Sequence, residues 1–269
     1  MKNKNKLWRA VNIIAVITAI GLMAGCDTGS SRRSMFTRSG DGYVVVWSGD
    51  SFTGALIIPA THNGRPVVAI EQGAFAGSQL TSVTIPNSVT YIGIGAFVSN
   101  QLTSVTIGNG VTHIGGSAFA SNQLTSVTIG NGVTHIGESA FFSNQLTSVT
   151  IGNSVTHIGG GAFWRNRLTN VTIPNSVTHI GTTAFSENQL TSVTIGNGVT
   201  HIGGSAFASN QLTSLTIGNS VTSIGNHAFS NNQLTRVAIP FATLEEADHR
   251  WGWWWWRTNI PDNVWAFEY

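Results

Sequence analysis

The chain has 269 residues, 41% of them hydrophobic and only 9% charged, against roughly 25% charged in an ordinary soluble domain. That length holds one or two globular domains or one extended repeat array, and Thr, Ser, Asn and Gly stand where charge is missing, so the surface is neutral and rich in hydroxyls. The formal net charge of +2 is carried by Lys2, Lys4, Lys6 and Arg9; beyond them nine basic residues face 11 acidic ones, a balance that offers nucleic acid no electrostatic footprint.

Residues 2–9 form a basic stretch and residues 10–22 an apolar one, interrupted only by Asn12, Thr18 and Gly21. Too short to span a bilayer, it reads as a signal peptide over residues 1–25. Ala24 and Gly25 precede Cys26, the single cysteine. The ending Met-Ala-Gly-Cys resembles a bacterial lipobox, which implies cleavage before Cys26, lipidation of its thiol and a membrane anchor. The plainer alternative is an ordinary secretory signal beside a chance cysteine. One cysteine permits no intramolecular disulfide. Residues 26–40 lack periodicity and read as a tether. Residues 41–79 read as an N-terminal cap with a first irregular repeat: a strand at 43–47, a turn at 48–50, and a repeat-like strand at 56–59.

Residues 80–239 are periodic. Leu recurs at a 22-residue step from Leu80 to Leu234, Phe at the same step from Phe75 to Phe229, and Ile twice per unit, from Ile85 and from Ile70; residues 100–126 are identical to residues 188–214. Self-similarity at this period predicts a solenoid. Within a unit, alternation in Ser82-Val83-Thr84-Ile85 predicts a short strand with Val and Ile inward. A turn follows at Pro86, Val89 and Ile92 form a second inward pair, Gly93 turns the chain again, and Ala96-Phe97 fits a short helical turn. One unit buries too little apolar surface to offset the ordering of its own backbone, so stability has to come from stacking, each strand hydrogen-bonding its neighbours. The expected fold class is therefore a repeat solenoid of 22-residue units, mainly short parallel β-strands with tight turns and short helical turns.

Residues 240–269 leave the pattern: a candidate helix at 242–249, a closing strand at 264–267, and a run of indoles including Trp253, Trp254, Trp255 and Trp256. These read either as the cap that a solenoid's last coil requires or as a stacking platform for sugar rings. Four consecutive Trp cannot all face one core.

The residues Leu80, Val83, Ile85, Pro86, Val89, Ile92, Ala96 and Phe97, repeated down the array, resemble the BspA-like, treponemal-type leucine-rich repeat. Its unit reads L-x-x-L-x-L-P-x-x-L-x-x-I-x-x-x-A-F-x-x-C with two further residues. Units here are one residue shorter, and Asn100 and its equivalents stand at the cysteine position, where the amide can still form a hydrogen-bonded ladder. The resemblance implies a leucine-rich-repeat superhelix in an exported lipoprotein at the bacterial cell surface, adhering to host or microbial protein or glycan partners.

Candidate sites follow from the pattern and its breaks. Ser82 and Thr84 with their equivalents make outward hydroxyl columns, suited to a binding surface or, in a structural lattice-binding solenoid of ice-binding type, to an ordered array; Thr is also what strand propensity selects. Trp164, Arg165 and Arg167, with Asn170, break the repeat, and Trp with Arg is a favoured binding composition; repeat drift is the plainer explanation. His113, His135, His157, His179 and His201 form a column that reads as a metal or pH-sensing ladder or as a solvated position tolerating Tyr91 and Ser223. No Asp, Glu or Cys accompanies it, so the expectation is no metal. An active site should show as a break in the pattern, and the main break, at 164–167 with Asn170, holds no nucleophile–base pair, carboxylate or phosphate-binding glycine loop, so neither enzymatic activity nor a cofactor is expected.

Overall fold

The computed structural model describes residues 35–47 and 52–239, together with the backbone of two short strands, Ala15–Val16 and Ala266–Phe267. Cys26, the candidate helix at 242–249 and Trp253–Trp256 lie outside these residues. Over residues 53–239 the chain winds into stacked coils at the repeat period, most of them contributing two short strands.

The second strand of each coil, such as His113–Ile114 or His157–Ile158, belongs to one continuous sheet of 11 strands. Successive strands pair in parallel one repeat apart, His113 opposite His135 and His135 opposite His157. At the N-terminal end this sheet continues through Arg65–Ile70 and Gly42–Val45 to the antiparallel strand Phe36–Ser39, which turns the exposed edge into a hairpin. This corrects the expected tether, which included residues 36–39. Phe36 buries against the core and stacks on His62 at 4.2 Å, and that apolar contact draws the segment onto the fold.

The first strands behave differently. Those at Gln79–Thr84 and Ser104–Thr106 pair, as do Ser126–Thr128 with Ser148–Thr150, Asn170–Thr172 with Ser192–Thr194, and Ser214–Thr216 with Arg236–Ile239. No pairing joins Ser104–Thr106 to Ser126–Thr128, nor the two equivalent neighbours further on. The expectation that every strand pairs with both neighbours fails on this face. Val105, Val149 and Val193, on the N-terminal side of each open gap, are only partly buried, whereas Val127 and Val171 across the gaps, like Val83, are buried.

Spacing explains the pattern. His rings in the continuous sheet lie 4.5–5.1 Å apart, and the Phe rings from Phe75 to Phe229 lie 5.1–5.4 Å apart. Ring spacing is thus slightly wider in the interior than on the His face. Hydrogen bonds are short-ranged. Widening every gap a little on the outer face would weaken all of them, whereas opening every second gap keeps half intact.

The interior is apolar and repetitive. Eight Phe side chains, from Phe75 to Phe229, are buried and stacked within 1–12° of parallel, with Leu, Val, Ile and Ala of each coil packed around them. The segment expected as a helical turn is a run of turns, and the described residues contain no helix. The reason is conformational. Positions flanking Ala-Phe take the left-handed region, Ser139 and Ser143 at φ 55° and 53° for example, which interrupts a right-handed helix. Amide groups such as Phe119 N–H then donate to the next coil, here to Ala140 O at 2.8 Å. Glycine after the second-strand Ile is required by close approach: a Cβ on Gly159 would lie 2.6 Å from Glu138 N.

Candidate functional site

Buried polar groups settle which surface positions are free to act. Asn144 accepts from Leu124 N–H at 3.0 Å and donates to Phe119 O at 2.9 Å and Phe141 O at 3.2 Å. Asn100, Asn122, Asn166, Asn188 and Asn210 repeat this arrangement while buried. The asparagine column at the cysteine position is therefore structural, a ladder tying each coil to the one before.

Ser82 and Thr84 lie on the outer strand face, Ser82 half-buried and Thr84 exposed. Their columns are in register only two coils at a time, Ser82 with Ser104 and Ser126 with Ser148. This departs from the flat, unbroken hydroxyl array that a lattice-binding solenoid requires. The cause is the missing pairing across every second gap.

Trp164 and Arg165 are brought together. The Arg165 guanidinium lies 4.8 Å from the centre of the Trp164 ring, and its Nε donates to Glu187 Oε2 at 2.9 Å. The indole also packs on Phe142, centroids 4.9 Å apart with the rings tilted by 34°. Glu187, which looks isolated in the sequence, stands one full repeat after Arg165, so the period itself gives the signal for this pair. Phe142 holds the same relation to Trp164. The indole Nε1 is buried and has no acceptor among the described residues. Arg167 is exposed and makes no ion pair among the described residues, while Asn170 sits on a first-strand position and donates to Thr169 Oγ1 at 3.3 Å. The compact unit is thus Trp164, Arg165, Phe142 and Glu187, with no contact reaching Arg167 or Asn170.

The five column histidines are exposed and stack within 5–7° of parallel, at 5.1, 4.9, 4.8 and 4.5 Å along the chain. Each Nδ1 faces the hydroxyl of the preceding Thr at 2.8–2.9 Å, Thr112 for His113 through Thr200 for His201. Each of those hydroxyls also donates to a Thr carbonyl one coil back, as Thr156 does to Thr134 O at 3.1 Å. The Thr partners escaped the sequence reading although the Thr-His pair recurs in successive units. Burial first, then the neighbouring His179 and His135, hold the His157 pKa below its ordinary value. Among the described residues no three His, Cys, Asp or Glu gather around one point.

Two stretches, residues 59–167 and 143–249, match the model of the BspA type leucine rich repeat region, in six copies. Among solved structures, the chain is similar to a leucine-rich repeat protein of T. pallidum, with 22% identity, 83% of this chain and 95% of that one covered, and a TM-score of 0.56. It is also similar to the pneumococcal vaccine antigen PcpA, with 17% identity, coverages of 77% and 80%, and a TM-score of 0.46. A leucine rich cell surface protein from Faecalibacterium prausnitzii aligns with 24% identity, coverages of 89% and 96%, and a TM-score of 0.42. No curated protein matches the sequence. The T. pallidum likeness agrees with the solenoid fold read from the repeat period.

Proposed function

The chain belongs to the BspA-type leucine-rich-repeat family, and from that premise we propose that it is an exported surface protein that binds protein or glycan partners and performs no catalysis. The observation that carries this reading is the Trp164–Arg165–Glu187 cluster on Phe142. It places an aromatic ring and a stacked, ion-paired guanidinium on a surface that otherwise repeats. Such a group supplies area at low entropic cost, with a charge held in position for a partner. The hydroxyl pairs around Ser82 and Thr84 supply neutral donors and acceptors beside it, and Arg167 and Asn170 extend the candidate surface. The tryptophans at 253–256 are the second candidate platform. Lipidation of Cys26 would hold the chain at the membrane.

The test is binding of the protein to matrix-protein and cell-wall glycan arrays, with a Trp164→Ala/Arg165→Ala variant in parallel. A loss of about 30-fold or more, the scale of an interface hot spot, is expected. Unchanged binding by the variant would remove the cluster from the reading. Incorporation of labelled palmitate, abolished by Cys26→Ala, tests the anchor separately.

A further inference from the structure

We propose that the histidine column is a binding strip for a linear acidic polysaccharide, engaged once the imidazoles are protonated. A threonine hydroxyl carries a single proton, and in each coil it makes two contacts. One is to a carbonyl of the preceding coil, at 3.0 Å for Thr112 and Thr200 and 3.2 Å for Thr134. The other is to Nδ1 of the following histidine, at 2.8–2.9 Å. A carbonyl can only accept, so both contacts are met together when the hydroxyl donates to the carbonyl and Nδ1–H donates to the hydroxyl oxygen. Nε2 is then the nitrogen left to take up a proton. An imidazolium donates from both nitrogens, so protonation at Nε2 keeps every threonine contact and adds an N–H and a positive charge to an exposed ring.

The five rings lie within 5–7° of parallel, at intervals of 4.5–5.1 Å. Their charges are therefore set out along a line and do not surround a point, which suits a chain-like ligand with repeated acidic groups. Elsewhere charge is sparse. The described residues hold five Arg, no Lys and four Asp or Glu, so the protonated column adds as many cations as all those arginines together, on one sheet face. Within the sheet each column ring faces its column neighbours, with Tyr91 in register before His113 and Ser223 after His201. Glu71 and Glu138 lie just beyond second strands, and among the described residues neither pairs with a histidine. Burial, then the flanking His179 and His135, hold His157 below the ordinary imidazole value, so charging it calls for acidic solution or an anion laid alongside.

The same geometry selects the polymer. Each interior ring has both faces turned to its neighbours, so the bases of a nucleic acid find no open π-face to stack on. A polysaccharide needs no such face, only charge and hydrogen bonds in a line. An extended pyranose chain advances by roughly one strand spacing per sugar, so carboxylates on successive or alternate sugars keep step with rings one coil apart. None of these contacts involves the Trp164 cluster, and the two surfaces are therefore separable by experiment.

The experiment titrates the full chain with polygalacturonate at low salt, using neutral dextran and single-stranded oligothymidylate as comparison polymers. A charge pair at contact in water contributes about fivefold, so three or more such contacts predict affinity about 100-fold higher at about pH 5.5 than at about pH 7.5. Calorimetry in buffers of different ionisation enthalpy should show proton uptake on binding. A flat pH profile, or binding without proton uptake, would overturn the proposal. His135→Ser/His157→Ser/His179→Ser should abolish the acid-dependent gain; serine is chosen because Ser223 occupies the same register opposite His201. Arginine at the same three positions should carry binding up to about pH 7.5, where those side chains stay charged. A gain retained by the serine variant would count against the strip, as would its loss in Trp164→Ala/Arg165→Ala, which is expected to leave it unchanged. Equal binding of dextran or of oligothymidylate would rule out an acidic polysaccharide as the specific ligand.

Discussion

At the scale of single residues, the same side-chain type does unequal work depending on where the coil puts it. Asparagine at the coil end is buried with four hydrogen bonds, whereas Asn170 on the strand face is exposed. Asn144→Ala would leave Leu124 N–H and three carbonyls without this partner. A loss of about 2–4 kcal/mol is expected in denaturant unfolding, against no measurable change for Asn170→Ala. Histidine titration gives a second expectation. The His157 pKa lies below its unfolded value, so the unfolded chain binds the proton more readily. The stabilisation is complete above about pH 6.5 and is lost as pH falls through the folded-state value. Thermal melts should therefore show the midpoint falling from pH 7 to pH 5, with a smaller fall in His157→Ser; equal slopes would contradict this. Residue roles were legible where the period repeats a chemical need, as in the Asn ladder and the Phe column. They were illegible where the need arises between coils, as for Glu187 and the Thr partners of the histidines, because those contacts appear only once residues one repeat apart are placed side by side.

The elements show what periodicity alone leaves open. Strand position, inward faces and the parallel step from coil to coil followed from alternation and repeat length. The helical turn at Ala96-Phe97 did not form, because left-handed residues on either side redirect its amide groups to the neighbouring coil. The pairing of first strands in twos was also hidden: Ser126-Val127-Thr128 and Ser148-Val149-Thr150 are the same tripeptide, yet the first has its open gap on the N-terminal side with Val127 buried and the second on the C-terminal side with Val149 partly buried. This asymmetry belongs to how the coils pair, not to their letters. It predicts an alternation in amide exchange. Ile85, Ile129 and Ile173 donate to Thr106, Thr150 and Thr194 carbonyls at 2.8–2.9 Å, while Ile107, Ile151 and Ile195 have no such acceptor. The first three should exchange slowly and the second three markedly faster in a residue-resolved hydrogen-exchange experiment. Uniform protection along all six would contradict the open gaps.

For the molecule as a whole, each coil supplies the interior that its neighbour lacks, with the Phe column and the Asn ladder running through every interface. Stability is then a sum over interfaces, and an exposed cluster such as Trp164–Arg165 can vary without cost to the stack. That separation of scaffold from surface is why the architecture was readable from one sequence while the partner was not: the repeat constrains what must be buried and leaves the outward positions to function. The most direct test is small-angle scattering of the chain with and without residues 189–232, two whole coils. The stacked account predicts elongated, rod-like profiles in both, with the maximum dimension shortened by about 10 Å, two strand spacings. A globular profile, or a maximum dimension unaltered by the deletion, would contradict it.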